Sequence, residues 1–434
     1  MGARETALNV LIACRKDGAW SNSVLKEYTL RDKLDRREAA LAARLCYGVL
    51  QNRAKLDFYL KQLLTGKIKN LHPAVHDILR LGLYQIYEMD KIPANAAVNE
   101  SVMLAKKYCK KIRNASGLVN GVLRNGVRTK GTLREPTSLS DRYSHPQELV
   151  DLLAETVGHE QLEGMLAANN AQPPVVAQVN TLKIQSEDLA AKLSADDVSA
   201  QPHPWLSDCL VLSNIGNLEH LEAFRQGLFY VQDAAARMSI VCAGINRGDK
   251  VLDCCAAPGG KTFAAAIAGA EKIVSCDIHP HKIGLIENGA KRLGLSGVTA
   301  QLQDAAQYRE EWRQAFDVVI ADVPCSGYGI IRKKPDIRYK DPKTMEQLPA
   351  LQLAILNNQA KYVKPDGVLL YSTCTVLERE NGKVVEAFLK ENPEFSPEPL
   401  PLPDVFPKNE SGMLTLVPGQ YDTDGFYICR LRRK

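Results

Sequence analysis

From residue 3 to about residue 127 the apolar positions recur at the spacing of amphipathic helices: Ala7, Val10 and Leu11; Leu41, Leu45, Val49 and Leu50; Leu56, Tyr59, Leu60 and Leu63; Val75, Ile78, Leu79, Leu83 and Ile86. Asp35 stands where an N-cap belongs before a helix running through 41–50, and Pro93 with Asn95 opens another through Val98, Val102 and Ala105. A polar, turn-rich stretch at 135–146 reads as a linker, and helical patterning resumes over 149–165. Strand-like runs at 175–179 and 210–212, with helical stretches at 187–193 and 218–224, predict a small α+β module. After about residue 227 short β-rich runs alternate with helices, at 250–254, 272–277, 298–302, 318–322 and 368–372, the pattern of a parallel α/β sheet. The runs 414–417 and 426–431 predict an antiparallel hairpin, preceded by a proline-dense connector at 393–407 without regular structure. The fold class expected is multidomain: an all-α domain at 1–138, a small α+β domain at 139–228 and an α/β domain at 229–434. No repeat of 20 to 50 residues is visible, which argues against a solenoid.

Composition narrows the class. With 45% hydrophobic and 24% charged residues over 434 positions the chain is a soluble globular protein rather than a coiled coil or a disordered one. No stretch approaches 18 uncharged apolar residues and no secretory pattern opens the chain, so no membrane partner and a cytoplasmic location are expected. Eleven cysteines lack any C-x-x-C pair, which fits neither a disulfide framework nor a zinc ribbon; no metal is expected. The net charge of +5 hides an asymmetry: residues 1–140 hold 25 Lys and Arg against 12 Asp and Glu, the remainder 30 against 38. A basic module on a mildly acidic body suggests a polyanion-binding appendage, although a solvated charged surface would read alike. Within 107–134, Lys107, Lys110, Lys111, Arg113, Arg124, Arg128, Lys130 and Arg134 stand without one acidic residue, the best phosphate-contact candidates in this half.

Ligands of open α/β sheets bind beyond the carboxyl ends of the strands, so those tips carry the chemistry. The first strand runs into Cys254, Cys255, Ala256, Ala257, Pro258, Gly259, Gly260, Lys261 and Thr262. A P-loop would require glycine where Cys255 stands, and no G-x-G-x-x-G follows, so a ligand without a pyrophosphate is favoured. Asp277 ends the second strand, 24 residues after Asp253, the offset at which a carboxylate meets a ribose diol; Asp304 follows the third, where it could meet an adenine amine. Either acid could equally be a helix N-cap. Asp322-Val323-Pro324-Cys325-Ser326-Gly327 ends the fourth strand and Tyr371-Ser372-Thr373-Cys374-Thr375 the fifth. If those strands are neighbours, Cys325 and Cys374 share one cleft; otherwise they are two unrelated buried thiols.

These motifs, with Pro335-Asp336-Ile337-Arg338-Tyr339 and the run Phe-Tyr-Val-Gln-Asp-Ala at 229–234, resemble the Nol1/Nop2/Sun family of RNA cytosine-5 methyltransferases, which use S-adenosylmethionine as methyl donor. The helical N-terminal region is similar to NusB through Arg44-Leu45-Cys46-Tyr47-Gly48-Val49-Leu50 and Val119-Asn120-Gly121-Val122-Leu123-Arg124. A NusB-like RNA-binding domain, a small intermediate domain and a Rossmann-like catalytic domain in series resemble the bacterial Sun/Fmu branch, which implies 16S ribosomal RNA as partner and its cytosine 967 as target, acted on by an expected monomer. Val323, Cys254, Lys334 and Tyr339 depart from the family's usual residues without removing a reacting group.

The resemblance implies Cys374 as the nucleophile that adds to carbon 6 of cytosine, Asp322 as the group that holds the base, Cys325 as the aid to proton removal and release, and Lys261 as electrostatic support. It implies a cofactor site from Cys254 through Lys261 with Asp277, Asp304 and Asp322. Thiolate is the attacking form of cysteine and only a few per cent of a free thiol is ionised at neutral pH, so the site must favour it. DNA cytosine-5 methyltransferases place the nucleophile at the position equivalent to Cys325, which makes exchanged roles the main rival. An adenine amino methyltransferase would carry an aromatic residue where Cys325 stands. A non-enzymatic antitermination factor, an NTPase or dinucleotide enzyme, or an enzyme acting on another RNA such as tRNA are the remaining alternatives. Arg332, Lys333, Lys334 and Arg338, just beyond the Pro-Cys motif, are expected to meet RNA phosphates.

Overall fold

The computed structural model describes residues 1–434. They form two compact units, Met1–Asn170 together with Lys333–Lys340, and Ala171–Arg332 together with Asp341–Lys434. The division falls at neither of the expected boundaries, 138/139 or 228/229.

The first unit holds ten helices: α1 (Ala3–Asp17), α2 (Ser21–Arg31), α3 (Arg36–Gln51), α4 (Arg53–Leu63), α5 (Pro73–Glu88), α6 (Ala94–Tyr108), α7 (Ala115–Arg128), α8 (Leu139–Tyr143), α9 (Gln147–Val157) and α10 (His159–Ala168). Asp35 caps α3 by accepting from the Glu38 N–H, and Pro93 occupies the N-cap position of α6. The apolar stripes predicted from spacing meet in one core, where Ala7, Leu45, Ile78, Leu79 and Val119 are wholly buried. Gly48 makes room for the Tyr84 ring there: a Cβ would lie 1.9 Å from its Cζ, so the ring would have to move. The stretch expected to be a linker contains α8, whose first turn is capped by the Ser138 hydroxyl accepting from the Asp141 N–H. Gly158, at φ 77°, divides the expected helix over 149–165 into α9 and α10.

The segment Lys333–Lys340 belongs to this unit, and its residues 335–338 are buried in it. Asp336 accepts from the Ser21 hydroxyl at 2.6 Å and from the Ser21 N–H at 3.3 Å. Arg338 donates to the carbonyls of Asn169 (2.8 Å), Gln51 (3.0 Å), Tyr143 (3.3 Å) and Ser144 (3.3 Å). Those carbonyls terminate α10, α3 and α8, so one guanidinium meets the negative ends of three helix dipoles. The Tyr339 hydroxyl donates to the Leu50 carbonyl at 2.7 Å. Arg338 is 2% exposed, and burial lowers its pKa to about 10. It is therefore not available to RNA, contrary to the sequence expectation.

In the second unit β1 (Val175–Val179), α11 (Ser186–Ala195), β2 (Ser199–Pro202), β3 (Cys209–Ser213), α12 (Glu222–Arg225) and β4 (Phe229–Val231) build an antiparallel sheet in the order β2-β3-β1-β4. The run at 229–231, read as the opening of the catalytic domain, is thus the edge strand of this small sheet. Next come α13 (Ala234–Ala243), β5 (Lys250–Asp253), α14 (Gly260–Ala268), β6 (Lys272–Asp277), α15 (Pro280–Leu293), β7 (Val298–Leu302), β8 (Phe316–Asp322), α16 (Leu348–Ala360), β9 (Val363–Thr373), α17 (Gly382–Glu391), β10 (Phe395–Pro397), β11 (Met413–Leu416) and β12 (Phe426–Arg433). The large sheet runs β10-β12-β9-β8-β5-β6-β7, with β11 also paired to β12. From β7 to β9 all pairings are parallel, and β12 is antiparallel to β9, β10 and β11. Strand β10 lies inside the connector expected to lack regular structure.

Alternate residues of the central strands face opposite ways, as the two-residue period requires. Val251, Val318, Ile320 and Leu370 pack with α13, α14 and α15, and Leu252, Val319, Leu369 and Tyr371 pack with α16 and α17. No helix is long and apolar enough to cross a membrane. Arg332 belongs to this unit and is 4% exposed. Its Nε donates to Asp424 Oδ1 at 2.8 Å and its Nη1 to Asp422 Oδ1 at 3.2 Å. This arginine, too, is spent on internal partners, so of the four expected phosphate contacts only Lys333 and Lys334 are exposed.

Candidate active site

The strand order reverses at β5, which has β6 on one side and β8 on the other, and a crevice opens beyond the carboxyl ends of these strands. Beyond β5 the loop closes through two backbone bonds, Ala256 N–H to Cys276 O and Gly259 N–H to Ala256 O, both 2.7 Å. Gly259 has φ 114°, and a Cβ there would lie 2.4 Å from the ring of Phe263, so only glycine allows α14 to start here. Beneath the loop Asp253 is fully buried and accepts from the Thr262 hydroxyl at 2.8 Å, while its Oδ1 has no partner. Burial raises the Asp253 pKa to about 7, against the opposing hydrogen bond from Thr262.

The cleft has a volume of about 390 Å³. Cys254, Cys255 and Ala257 line it from the loop, Asp277 and Asp304 from the tips of β6 and β7, Asp322 and Cys325 from beyond β8, and Cys374 from beyond β9. The structure thus brings eight of the residues expected from sequence to one cavity. Ala256, Pro258, Gly259, Gly260 and Lys261 form the supporting turn and are not among its lining. Asp277 Oδ1 accepts from the His279 N–H and Asp304 Oδ1 from the Ala306 N–H, each at 2.9 Å. Both acids therefore make local turn bonds and border the cleft, but neither is the helix N-cap of the plainer reading: His279 holds that position in α15, and no helix starts at Asp304. Reasoning from sequence does not single out Ile278, His279 or Lys282, which also line it; Ile278, 55% exposed beside Asp277, is the detectable signal, an apolar residue placed at a strand tip.

Strands β8 and β9 are parallel neighbours, with Asp322 opposite Ser372. Asp322 accepts from Lys261 Nζ at 2.6 Å and from the Ser372 hydroxyl at 2.8 Å, so its carboxylate is oriented from two sides. Lys261 is largely buried, its ammonium 5.0 Å from the centre of the Phe426 ring; it acts on the cleft through Asp322. The condition for the two thiols is met: Cys325 Sγ and Cys374 Sγ are 3.0 Å apart, and the Cys374 N–H donates to Cys325 Sγ at 3.2 Å. The contact with Cys374, aided by burial and by the negative charges of Glu380 and Asp322, pushes the Cys325 thiol well above its ordinary range.

Three family models match the chain: 16S rRNA methyltransferase RsmB/F over residues 242–432, the NusB family over 1–128 and an RsmF/B-like ferredoxin-like domain over 145–219. Sheet, cleft and accessory domains together define a methyltransferase of the RsmB/F type joined to a NusB domain. A probable ribosomal RNA small subunit methyltransferase B of Bacillus subtilis (strain 168) is 35% identical, over 99% of this chain and 98% of the relative. A ribosomal RNA small subunit methyltransferase B of Salmonella arizonae is 32% identical over 93% of each. The crystal structure of PH0851 superposes with a TM-score of 0.80 at 23% identity, covering 100% of this chain and 98% of that one, a likeness of fold. The chain belongs to the ribosomal RNA small subunit methyltransferase B family.

Proposed function

We propose that this methyltransferase transfers a methyl group from S-adenosylmethionine to carbon 5 of a cytosine in 16S ribosomal RNA, cytosine 967, through a covalent bond between Cys374 Sγ and carbon 6 of the base. The observation that carries this reading is the pair of thiols 3.0 Å apart on the same cleft as Asp322, Asp277 and Asp304. The cleft suits the donor: its volume of about 390 Å³ lies within the range of small-molecule sites. Asp277 would hold the ribose hydroxyls, Ile278 would offer an apolar face to the purine and Asp304 would accept from its amine. The backbone of 254–260 allows close approach. S-adenosylmethionine supplies a methyl group made electrophilic by its sulfonium sulfur.

Carbon 5 of cytosine is a poor nucleophile until carbon 6 carries a substituent. Cys374 thiolate adds to carbon 6 and the electron pair of the 5,6 double bond is released toward carbon 5. Asp322, oriented by Lys261 and Ser372, faces the N3 and exocyclic amine edge and favours the dispersal of charge as the bond forms. With its sulfur accepting from the Cys374 N–H, Cys325 has its S–H to direct at Cys374 Sγ. Once carbon 5 is methylated, its proton passes to water with the aid of Cys325, the pair left behind restores the double bond, and the Cys374 thiolate is expelled from carbon 6. This division of labour supports Cys374 over Cys325 as nucleophile.

RNA contact falls to the helical domain. Lys110, Lys111, Arg113, Arg124 and Arg128 are exposed, whereas Lys107 is paired with Glu5 and Lys130 donates to the Ile86 carbonyl. The reading is of a monomer acting in the cytoplasm, with domains at 1–138, 139–228 and 229–434, save that strand 229–231 completes the sheet of the middle domain and 333–340 belongs to the helical unit. Its test is methyl transfer to unmodified 16S ribosomal RNA, naked and in partly assembled subunits. Cys374→Ala abolishes both methylation and the protein–RNA adduct, and Cys325→Ala leaves an adduct that survives denaturation. An adduct retained by Cys374→Ala alone reverses the roles, and absence of methyl transfer to either substrate sinks the proposal.

A further inference from the structure

Directly behind the two thiols stands a pair of adjacent polar residues, Glu380 and Asn381, each 0% exposed. Neither lines the cleft. Glu380 Oε2 accepts from the Ser326 N–H at 2.9 Å, one residue beyond Cys325, and from Gln352 Nε2 at 3.0 Å. The same Gln352 amide donates to the Pro324 carbonyl at 2.9 Å, on the other side of Cys325. Asn381 works on the second loop: its Oδ1 accepts from the Thr373 hydroxyl at 2.6 Å and its Nδ2 donates to the Thr375 carbonyl at 3.0 Å. These are the residues on either side of Cys374.

Two successive side chains thus grip, one each, the two thiol-bearing loops. A hydrogen bond from the Ser326 hydroxyl to Thr375 Oγ1, 2.9 Å, joins the loops across the gap. Glu380 Oε1 is buried without a hydrogen-bond partner, which costs solvation. Strand tips and the loops beyond them are otherwise the least constrained parts of a sheet. A thiol that must attack carbon 6 and a thiol that must assist at carbon 5 of one base need fixed separation, because small displacements of reacting groups are costly.

We infer that Glu380 and Asn381 are positioning residues, a bracket that holds the Cys325 and Cys374 loops in register, and that the acceptor oxygen of Glu380 rather than its charge is what the Cys325 loop needs. The inference rests on the cytosine-methylating reading of the site for its purpose but has a readout independent of it. In the full-length protein without RNA, diamide closes a Cys325–Cys374 disulfide, each closure passing two electrons and two protons from the thiols to the azo group; peptide mass spectrometry follows the rate. Glu380→Ala is expected to slow closure about tenfold or more, to lower kcat by a similar factor and to leave KM for 16S ribosomal RNA within about twofold. Glu380→Gln, whose amide oxygen can still accept from the Ser326 N–H, is expected to restore both rates to within about threefold of the wild type. Should Glu380→Ala melt far below the wild type, Asn381→Asp takes its place. It retains the bond from Thr373, cannot donate to Thr375, and is expected to slow closure about tenfold. Closure at the wild-type rate in the folded variants overturns the bracket, as does a Glu380→Gln protein as slow as Glu380→Ala. If the wild type closes its disulfide fast, the variants slow it and no methyl transfer occurs, the cytosine reading falls and the bracket stands.

Discussion

Replacing Arg338 tests whether the charge beyond the Pro-Cys motif belongs to the RNA or to the fold. In the structure its guanidinium serves four carbonyls, the strongest bonds going to Asn169 at 2.8 Å and Gln51 at 3.0 Å. Removing it leaves at least these two buried helix-terminal acceptors unpaired, at about 1–3 kcal/mol each. It also withdraws the cation from the C-terminal ends of three helices, a further contribution of about 0.3–1 kcal/mol per end. Relief of the desolvation that lowers the Arg338 pKa to about 10 offsets part of this. The net expectation for Arg338→Ala is a loss of about 3–5 kcal/mol in the first unit, equivalent to about 10 °C in Tm for a unit of its size. Arg338→Lys keeps the charge but not the fork and should lose about half as much. Differential scanning calorimetry gives the shift, and hydrogen exchange should show the amides of the last turns of α3 and α10 opening first. If Arg338→Ala melts within about 2 °C of the wild type while its RNA affinity falls and the salt slope drops by about 1, the residue is a phosphate contact and the internal account is wrong.

Asp253, with its pKa raised to about 7 from an ordinary 3.8, binds its proton more tightly in the folded state, so its contribution is present at low pH and is lost as pH climbs from about 4 to 7. Relative to wild type, Asp253→Asn should therefore gain about 3 kcal/mol in urea stability between pH 5 and pH 8, and a pH-independent difference would falsify the assignment. Asp277→Ala should weaken binding of S-adenosylhomocysteine about tenfold, removing about 1.4 kcal/mol of its thermal protection; an unchanged shift at equal ligand concentration would place the ribose elsewhere. Changing Lys110, Lys111 and Arg113 together to Gln should flatten the dependence of log affinity on log salt for 16S ribosomal RNA by roughly 2–3, and an unaltered slope excludes this face.

Most of the large sheet was legible because fully buried parallel strands leave short apolar runs, and the residues that line the cleft stand where those runs stop. The predicted strand 272–277 matches β6 and 298–302 matches β7. The N-cap at Asp35 was legible for an equally local reason. What escaped depends on partners far along the chain. The three residues of β4 carry no mark of which sheet they join, and β1, their partner, lies about fifty residues earlier. Prolines at 393–407 suggest coil, yet β10 is an edge strand, where proline is tolerated. Arg332 and Arg338 sit in a polar, charged stretch that looks solvated; the carbonyls that bury Arg338 are between 169 and 287 positions away. The carboxylates that line the cleft were found by their place after a strand, whereas Glu380 and Asn381, which follow the Cys374 motif in a short turn, carry no periodic signal and are recognisable only by what they hold.

The insertion of Lys333–Lys340 into the helical unit sets an order of events during synthesis. The ribosome delivers the first 170 residues without the arginine that closes three of their helices, and a further 162 residues must follow before that segment begins to appear. At elongation rates of roughly 5–20 residues per second the interval is on the order of 10–30 s. Throughout it the nascent helical domain has carbonyls open to water or to chaperones, and it matures only after much of the enzyme that uses it has been made. A gene cut after residue 170 would yield a domain permanently held at that earlier stage, and a peptide spanning 333–340 is the piece it lacks.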